Sequence, residues 1–287
     1  MEVEIKIISA FTKDGKGGNR AAVVLEADKL SEEQKQAIAA KVGLSETAFV
    51  SASLVADFKL DFFTPVRRIA HCGHATIATF SYLKQSGTIA GNASSKMTVD
   101  GRREIKFVGE EAYMEQKPPR FIALGDEDEN RVLTALGLSP DAVASPSPVI
   151  VNTGNSFVIV EVTNEAALQN LVPRFEDVAS ISEKHGLIGF YIFCKRADGT
   201  VDATTRMFAP AYGIEEEAAT GMAAGPLACY LYQFGNRKES YRIEQGNYMR
   251  SPSPSLLKVD LTIQAADIIS VYAGGTATLV SKKTIEV

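Results

Sequence analysis

The chain has 287 residues, a net charge of −5, and 45% hydrophobic against 23% charged residues. That is the balance of a globular protein long enough to bury a core without staples, and it gives no electrostatic reason to expect nucleic acid or an acidic membrane surface as partner. Three cysteines, an odd number without CxxC spacing, argue against a disulfide framework and for a reducing compartment, and no run reaches the ~18 apolar residues a membrane span needs.

The opening residues alternate like a strand over Val3 to Ala10 rather than forming a signal peptide, so a soluble, cytoplasmic protein is expected. Lys13 to Arg20 is a glycine-rich loop without the GK[ST] of a phosphate loop. A second strand is expected over Ala21 to Leu25. Ser31 with Gln34 makes a capping box for a helix that Gly43 ends. Ser45 to Ser51 and Phe58 to Phe63 read as strands. Then comes His71-Cys72-Gly73-His74-Ala75-Thr76, which holds two of the three histidines and opens a run to Lys84 that is apolar on nearly every face. Such a run predicts a helix buried on all sides, stopping near Ser86-Gly87. Lys96 to Val108 and Ala112 to Gln116 predict a hairpin or meander.

Lys117-Pro118-Pro119 marks the expected boundary, giving domains over 1–117 and 118–287, with the last strand free to cross back to the first domain. Beyond it, helices are predicted over Asp126 to Leu136, Asn164 to Leu171 and Glu176 to His185. Strands are predicted over Pro148 to Asn152, Ser156 to Val162, Gly189 to Lys195 and Asp202 to Phe208. The early pattern then recurs: a strand, the acidic Glu215-Glu216-Glu217, the opening Thr220-Gly221, and an apolar helix to Gly235 with Pro226 near its first turn or at a kink. Ser255 to Ile263 and Ile268 to Val280 close the chain as strands. A central helix wrapped by strands, twice over, accounts for two helices without a polar face, and their N-termini are expected to face one another across a cleft.

Few residues suit chemistry. His74, at a helix N-terminus, is expected as a neutral imidazole, although a turn histidine that satisfies backbone groups has the same signature. Glu46 precedes the apolar Ala48-Phe49-Val50. Aimed into a cleft it would have its pKa raised by desolvation towards general acid/base use, whereas taken alone an outward-facing glutamate is the commoner case. Three glutamates before a helix commonly form a solvated, dipole-stabilised start. Cys72 is placed for a thiolate, but a two-thiol enzyme needs a matching cysteine at the second opening, where Ala218 and Ala219 stand. HxxH without HExxH or a cysteine cluster is a poor metal motif, so no metal is expected.

GLSETAFV, FTP…CGHATIA, RMFAP and ATGMAAGPLA occur in that order, and EQG with VYAGGTATLV follows. Together they resemble the PhzF-like phenazine-biosynthesis family along essentially the whole chain. The resemblance implies an α+β fold of two similar domains, each a mixed sheet or barrel around a central helix, as in diaminopimelate epimerase. It implies a cofactor-independent isomerase, often dimeric, that moves a proton within a small carboxylic acid. Glu46 matches the proton-shuttling glutamate, and Gly73, His74, Glu217, Thr220 and Gly221 fall at substrate-binding positions. Four residues depart from the pattern: Glu217 for Asp, Ala218 for Pro, Met222 for Ser and Arg68 for Glu. The rival readings are an amino-acid racemase or epimerase using Glu46 with Cys72 or His74, and a non-catalytic small-acid binding protein on the same scaffold.

Overall fold

The computed structural model describes residues 2–196 and 198–287. They fall into two units, Met1–Glu115 with Gly274–Val287, and Gln116–Ala273. Mixed sheets with a minority of helices make the protein α+β.

The first unit contains β1 (Glu2–Ala10), β2 (Asn19–Val24), α1 (Glu32–Val42), β3 (Thr47–Ser51), β4 (Phe58–Phe63), β5 (Arg68–Ile69), α2 (Gly73–Gln85), β6 (Ala93–Thr98), β7 (Gly101–Val108) and β8 (Glu111–Gln116). β1 pairs antiparallel with β2, β2 runs parallel to β3, β3 antiparallel to β4, β4 parallel to β6, and β6, β7 and β8 form a meander. Val3, Ile5 and Ile7 of β1 cluster with Ala22, Val24, Phe49 and Phe63 beneath Ile38 and Ala39 of α1. The intervening Lys6 lies over the Tyr82 ring of α2, so the polar–apolar alternation of β1 ends at Lys6 and the strand is buried on both faces from there to Ala10. α2 is buried without a break from Gly73 to Ser81, as its sequence predicts. The Ser31–Gln34 capping box is present, and Gly43 ends α1 at φ 69°.

The second unit contains β9 (Arg120–Ala123), α3 (Asp126–Leu136), β10 (Val149–Asn152), β11 (Ser156–Glu161), α4 (Glu165–Gln169), α5 (Phe175–His185), β12 (Gly189–Lys195), β13 (Ala203–Phe208), α6 (Gly221–Phe234), β14 (Ser240–Gln245), β15 (Ser255–Gln264) and most of β16 (Asp267–Gly275). β11–β12 and β13–β14 are parallel pairs in an otherwise antiparallel sheet. Val158, Val160, Phe190 and Ile192 pack under α3 and α5, while Phe193, on the opposite face, meets Tyr230 of α6 with ring centroids 5.5 Å apart. Each unit therefore has a sheet between a buried helix and outer helices. Among the described residues, no helix is long and apolar enough to cross a membrane.

The single strand expected over Ile268 to Val280 is two. Thr276 interrupts it: its hydroxyl donates to the Thr12 carbonyl at 2.7 Å, and its own carbonyl accepts from Thr12 N–H at 3.2 Å. The chain passes back to the first unit at Gly274, and β17 (Ala277–Glu286) pairs antiparallel with β1 along its whole length.

Candidate functional site

Glu46 lies just before β3, where its carbonyl accepts from Ala22 N–H of β2 at 3.0 Å. Asn19 begins β2 at the same end of that parallel pair. The loop before it folds back on β1: Gly18 has φ +81°, and a Cβ there would meet the Ala10 carbonyl at 2.5 Å, so glycine is required. α2 opens beside them, with Cys72 as N-cap and Gly73 and His74 in the first turn.

These elements bring Glu46 and His74 together. Glu46 Oε2 and His74 Nε2 are 3.1 Å apart, both residues are buried, and Asn19 Nδ2 lies 3.2 Å from the other ring nitrogen. Asn19 and Cys72 both approach Nδ1, whereas Nε2 lies near Oε2 without the alignment of a hydrogen bond. The pKa of Glu46 moves opposite to the sequence expectation. Burial does raise it, but pairing with His74, helped by a hydrogen bond from Ser45, outweighs burial and holds the carboxyl below its ordinary value. The carboxylate is therefore ready to act as a base at neutral pH.

Cys72 Sγ is 3.6 Å from His74 Nδ1, yet full burial pushes its thiol above its ordinary value. One ligand atom each from Glu46, Cys72 and His74 lie within 4.8 Å of one another, the one group of three such donors among the described residues. Their chemistry fits a metal poorly: the thiol is held protonated, and the Nδ1 of His74 is approached by the Asn19 amide.

In the second unit, Thr220 is the N-cap of α6, and its hydroxyl donates to Glu217 Oε2. Gln245 organises this turn. Its Oε1 accepts from Thr220 N–H at 3.1 Å and from the Tyr191 hydroxyl at 2.9 Å, and its Nε2 donates to the Glu217 carbonyl at 2.7 Å. Gly246 follows at φ +82°, where a Cβ would meet the Ser253 carbonyl at 2.3 Å and that of Ala218 at 2.8 Å. The EQG motif is thus a clamp on the turn between Glu217 and Gly221. Gly221 is the first residue of α6, and its carbonyl accepts from Gln116 Nε2 at 2.9 Å.

The three glutamates are not one solvated run. Glu216 forms a two-point ion pair with Arg206 of RMFAP, at 2.8 and 2.9 Å, and Arg206 also donates to carbonyls of Leu168, Gln169 and Leu171 at the end of α4. That fixes the chain beside Glu217, which is half-buried. Met222 receives an Asn155 amide at 3.4 Å on its sulfur. Arg68 reaches the buried Asp61 and also pairs with Glu32 at 3.2 Å. Nothing in the structure explains Ala218. Sequence reasoning missed Asn19, Gln245 and Tyr191. EQG stood out as a motif, but nothing in the sequence gave Gln245 or Asn19 a partner.

This is an α+β protein in which a buried carboxylate–imidazole pair opens one interior helix and a clamped acidic turn opens the other. The family model described as "Phenazine biosynthesis-like protein" (PhzC-PhzF) matches residues 8–283. The chain is 34% identical to an uncharacterized isomerase, YddE, of Salmonella typhimurium, over 82% of this chain and 81% of that one. It is 33% identical to the trans-2,3-dihydro-3-hydroxyanthranilate isomerase of Pseudomonas chlororaphis, over 97% and 98%. The crystal structure of a Bacillus anthracis PhzF-family phenazine biosynthesis protein superposes with a TM-score of 0.89 over 100% of both chains at 27% identity. The chain belongs to the phenazine biosynthesis-like (PhzC-PhzF) family and is an isomerase of that family.

Proposed function

We propose that this isomerase moves a proton within a small carboxylic acid without a cofactor, with Glu46 as the catalytic acid/base. The observation that carries this reading is the buried Glu46–His74 pair at the opening of α2. The carboxylate takes a proton from a substrate carbon, and the resulting carboxylic acid returns it to another carbon as the double bond shifts, so no net proton is consumed. Burial of Glu46 away from bulk water favours return of the proton within one turnover over loss to solvent. Gly73 and His74 are proposed to bind the substrate's carboxylate and polar groups at the positive end of the α2 dipole. Glu217, Thr220 and Gly221 are the proposed substrate-binding residues of the second unit, held by Gln245. The fully buried Cys72 thiol counts against a racemase that uses a thiolate.

The test is turnover of trans-2,3-dihydro-3-hydroxyanthranilate and related cyclic amino acids in deuterated water, followed by NMR. A double-bond isomer formed by the wild type and not by Glu46→Gln supports the proposal. Epimerisation at an α-carbon, or full activity in Glu46→Gln, overturns it.

A further inference from the structure

Lys96, on β6, is fully buried and takes no part in the proton transfer described above. Its surroundings are unusual for an ammonium group. Nζ donates to Thr76 Oγ1 at 2.6 Å, makes a long contact of 3.5 Å with His71 Nδ1, and lies 5.2 Å from the centre of the Phe62 ring. No carboxylate is among these partners. Burying such a cation is costly, and an apolar side chain of similar volume would fill the space without that cost. Thr76 links it to the turn, for the Thr76 hydroxyl donates to the Cys72 carbonyl at 2.6 Å. That carbonyl and the Gly73 N–H are the two ends of one peptide group.

We propose that Lys96 is a positioning residue that acts from behind the turn: through Thr76 its ammonium polarises the Cys72–Gly73 peptide and makes the Gly73 N–H a stronger donor to an anionic group of the substrate. This rests on the reading that a carboxylate sits at the opening of α2. In a chain of hydrogen bonds each link strengthens the next, and one that begins at a charged donor is the strongest kind. Pulling electron density onto the carbonyl oxygen leaves the N–H of the same peptide more positive. The buried cation and the positive end of the helix dipole then act together, an arrangement unfavourable when empty and relieved by an anion.

The charge is also adjustable. Burial brings the amine down to about 7, and Arg103 of β7 adds to that, while the Cys72 thiol and Asp100, in the turn after β6, act the other way. The neighbouring His71 is held neutral, because burial and the charges of Lys96 and Arg103 push its pKa well below the usual value. Anion binding should therefore be strongest below neutral pH and weaken as Lys96 loses its proton; a bound anion should raise its pKa in turn.

The experiment uses 15N-labelled full-length protein and two probes of one shape, anthranilate and its neutral analogue 2-aminobenzamide. In the free wild type, the Gly73 amide resonance should shift with a midpoint near the Lys96 titration. That shift should be absent in Lys96→Met and Thr76→Val and restored in Thr76→Ser. Lys96→Met should lose about tenfold in anthranilate affinity at pH 6, with little change for 2-aminobenzamide. A Gly73 amide indifferent to Lys96 overturns the relay, as does an equal loss for both probes. If the relay responds but anthranilate leaves the Gly73 amide of the wild type unmoved, the carboxylate-site reading falls, and this role for Lys96 with it.

Discussion

His74 turns its Nε2 to Glu46, 3.1 Å from the carboxylate, and neither side chain is exposed. The pair keeps the glutamate ionised. Glu46→Gln keeps size and shape but removes the base. Turnover should fall by about 10²–10⁴-fold, the usual worth of a general acid/base, with unchanged circular dichroism. In the wild type, the limb of the pH–rate profile belonging to this base should lie below pH 4.5, because the Glu46 carboxyl is lowered from that ordinary value. Activity rising through pH 6–7 on a carboxylate limb would contradict the pairing.

Asn19 holds the other face of the imidazole. Asn19→Leu should free the ring to turn and lower kcat by roughly ten- to a hundred-fold, the scale of a small misplacement at a reacting centre, with a smaller effect on KM. Circular dichroism and urea unfolding separate this from a folding defect, which would lower the folded fraction rather than the turnover of each folded molecule.

Cys72 should be dispensable. Cys72→Ser is expected to retain most activity, and the wild-type thiol should react slowly with iodoacetamide at pH 8, because burial both raises its pKa and blocks access. Rapid alkylation with loss of turnover would revive a thiol mechanism.

Asp61 is a buried carboxylate between Lys35, at 2.7 Å, Arg68 and Lys59. Burial raises its pKa, but these three cations together bring it below the ordinary 3.8. A carboxyl lowered on folding contributes stability that is complete above its unfolded value and disappears as pH falls through the folded one. Asp61→Asn should cost about 3 kcal/mol at pH 7, since it leaves Lys35 buried without its counter-charge, and should flatten the acid dependence of urea unfolding below pH 4.

Gly225 of α6 lies against the Gln116 side chain: a Cβ there would fall 2.1 Å from Gln116 Oε1. Gly225→Ala should destabilise by about 1–3 kcal/mol through overpacking. The loss should shrink when Gln116→Ser is added, a coupling that a double-mutant cycle by urea unfolding measures.

Much of the framework is legible in local chemistry. The Ser31–Gln34 box, the stops at Gly43 and Gly137, and the two helices without a polar face all carry their cause within a few neighbouring residues. β9 and β14 were missed: four residues after a proline pair leave little pattern, and the alternation of Tyr241, Ile243 and Gln245 hides among charged neighbours. Glu46 and His74 were legible as candidates, but not the direction of the Glu46 shift, which depends on a partner 28 positions away rather than on burial alone. Lys96, Asn19 and Gln245 were illegible for a related reason. Each looks like an ordinary polar residue until the fold brings a turn against it.

Because β17 lies along β1 and Gln85 of α2 donates to the Ala277 carbonyl at 2.9 Å, the first unit is finished only after every residue of the second has been made. Until then β1 has a bare edge and α2 lacks part of its wall, while the second unit is already whole in sequence. Order of synthesis and order of completion are therefore reversed in this chain. A stop codon near position 274 would disarm Glu46 and His74 from two hundred residues away, without altering any residue around them.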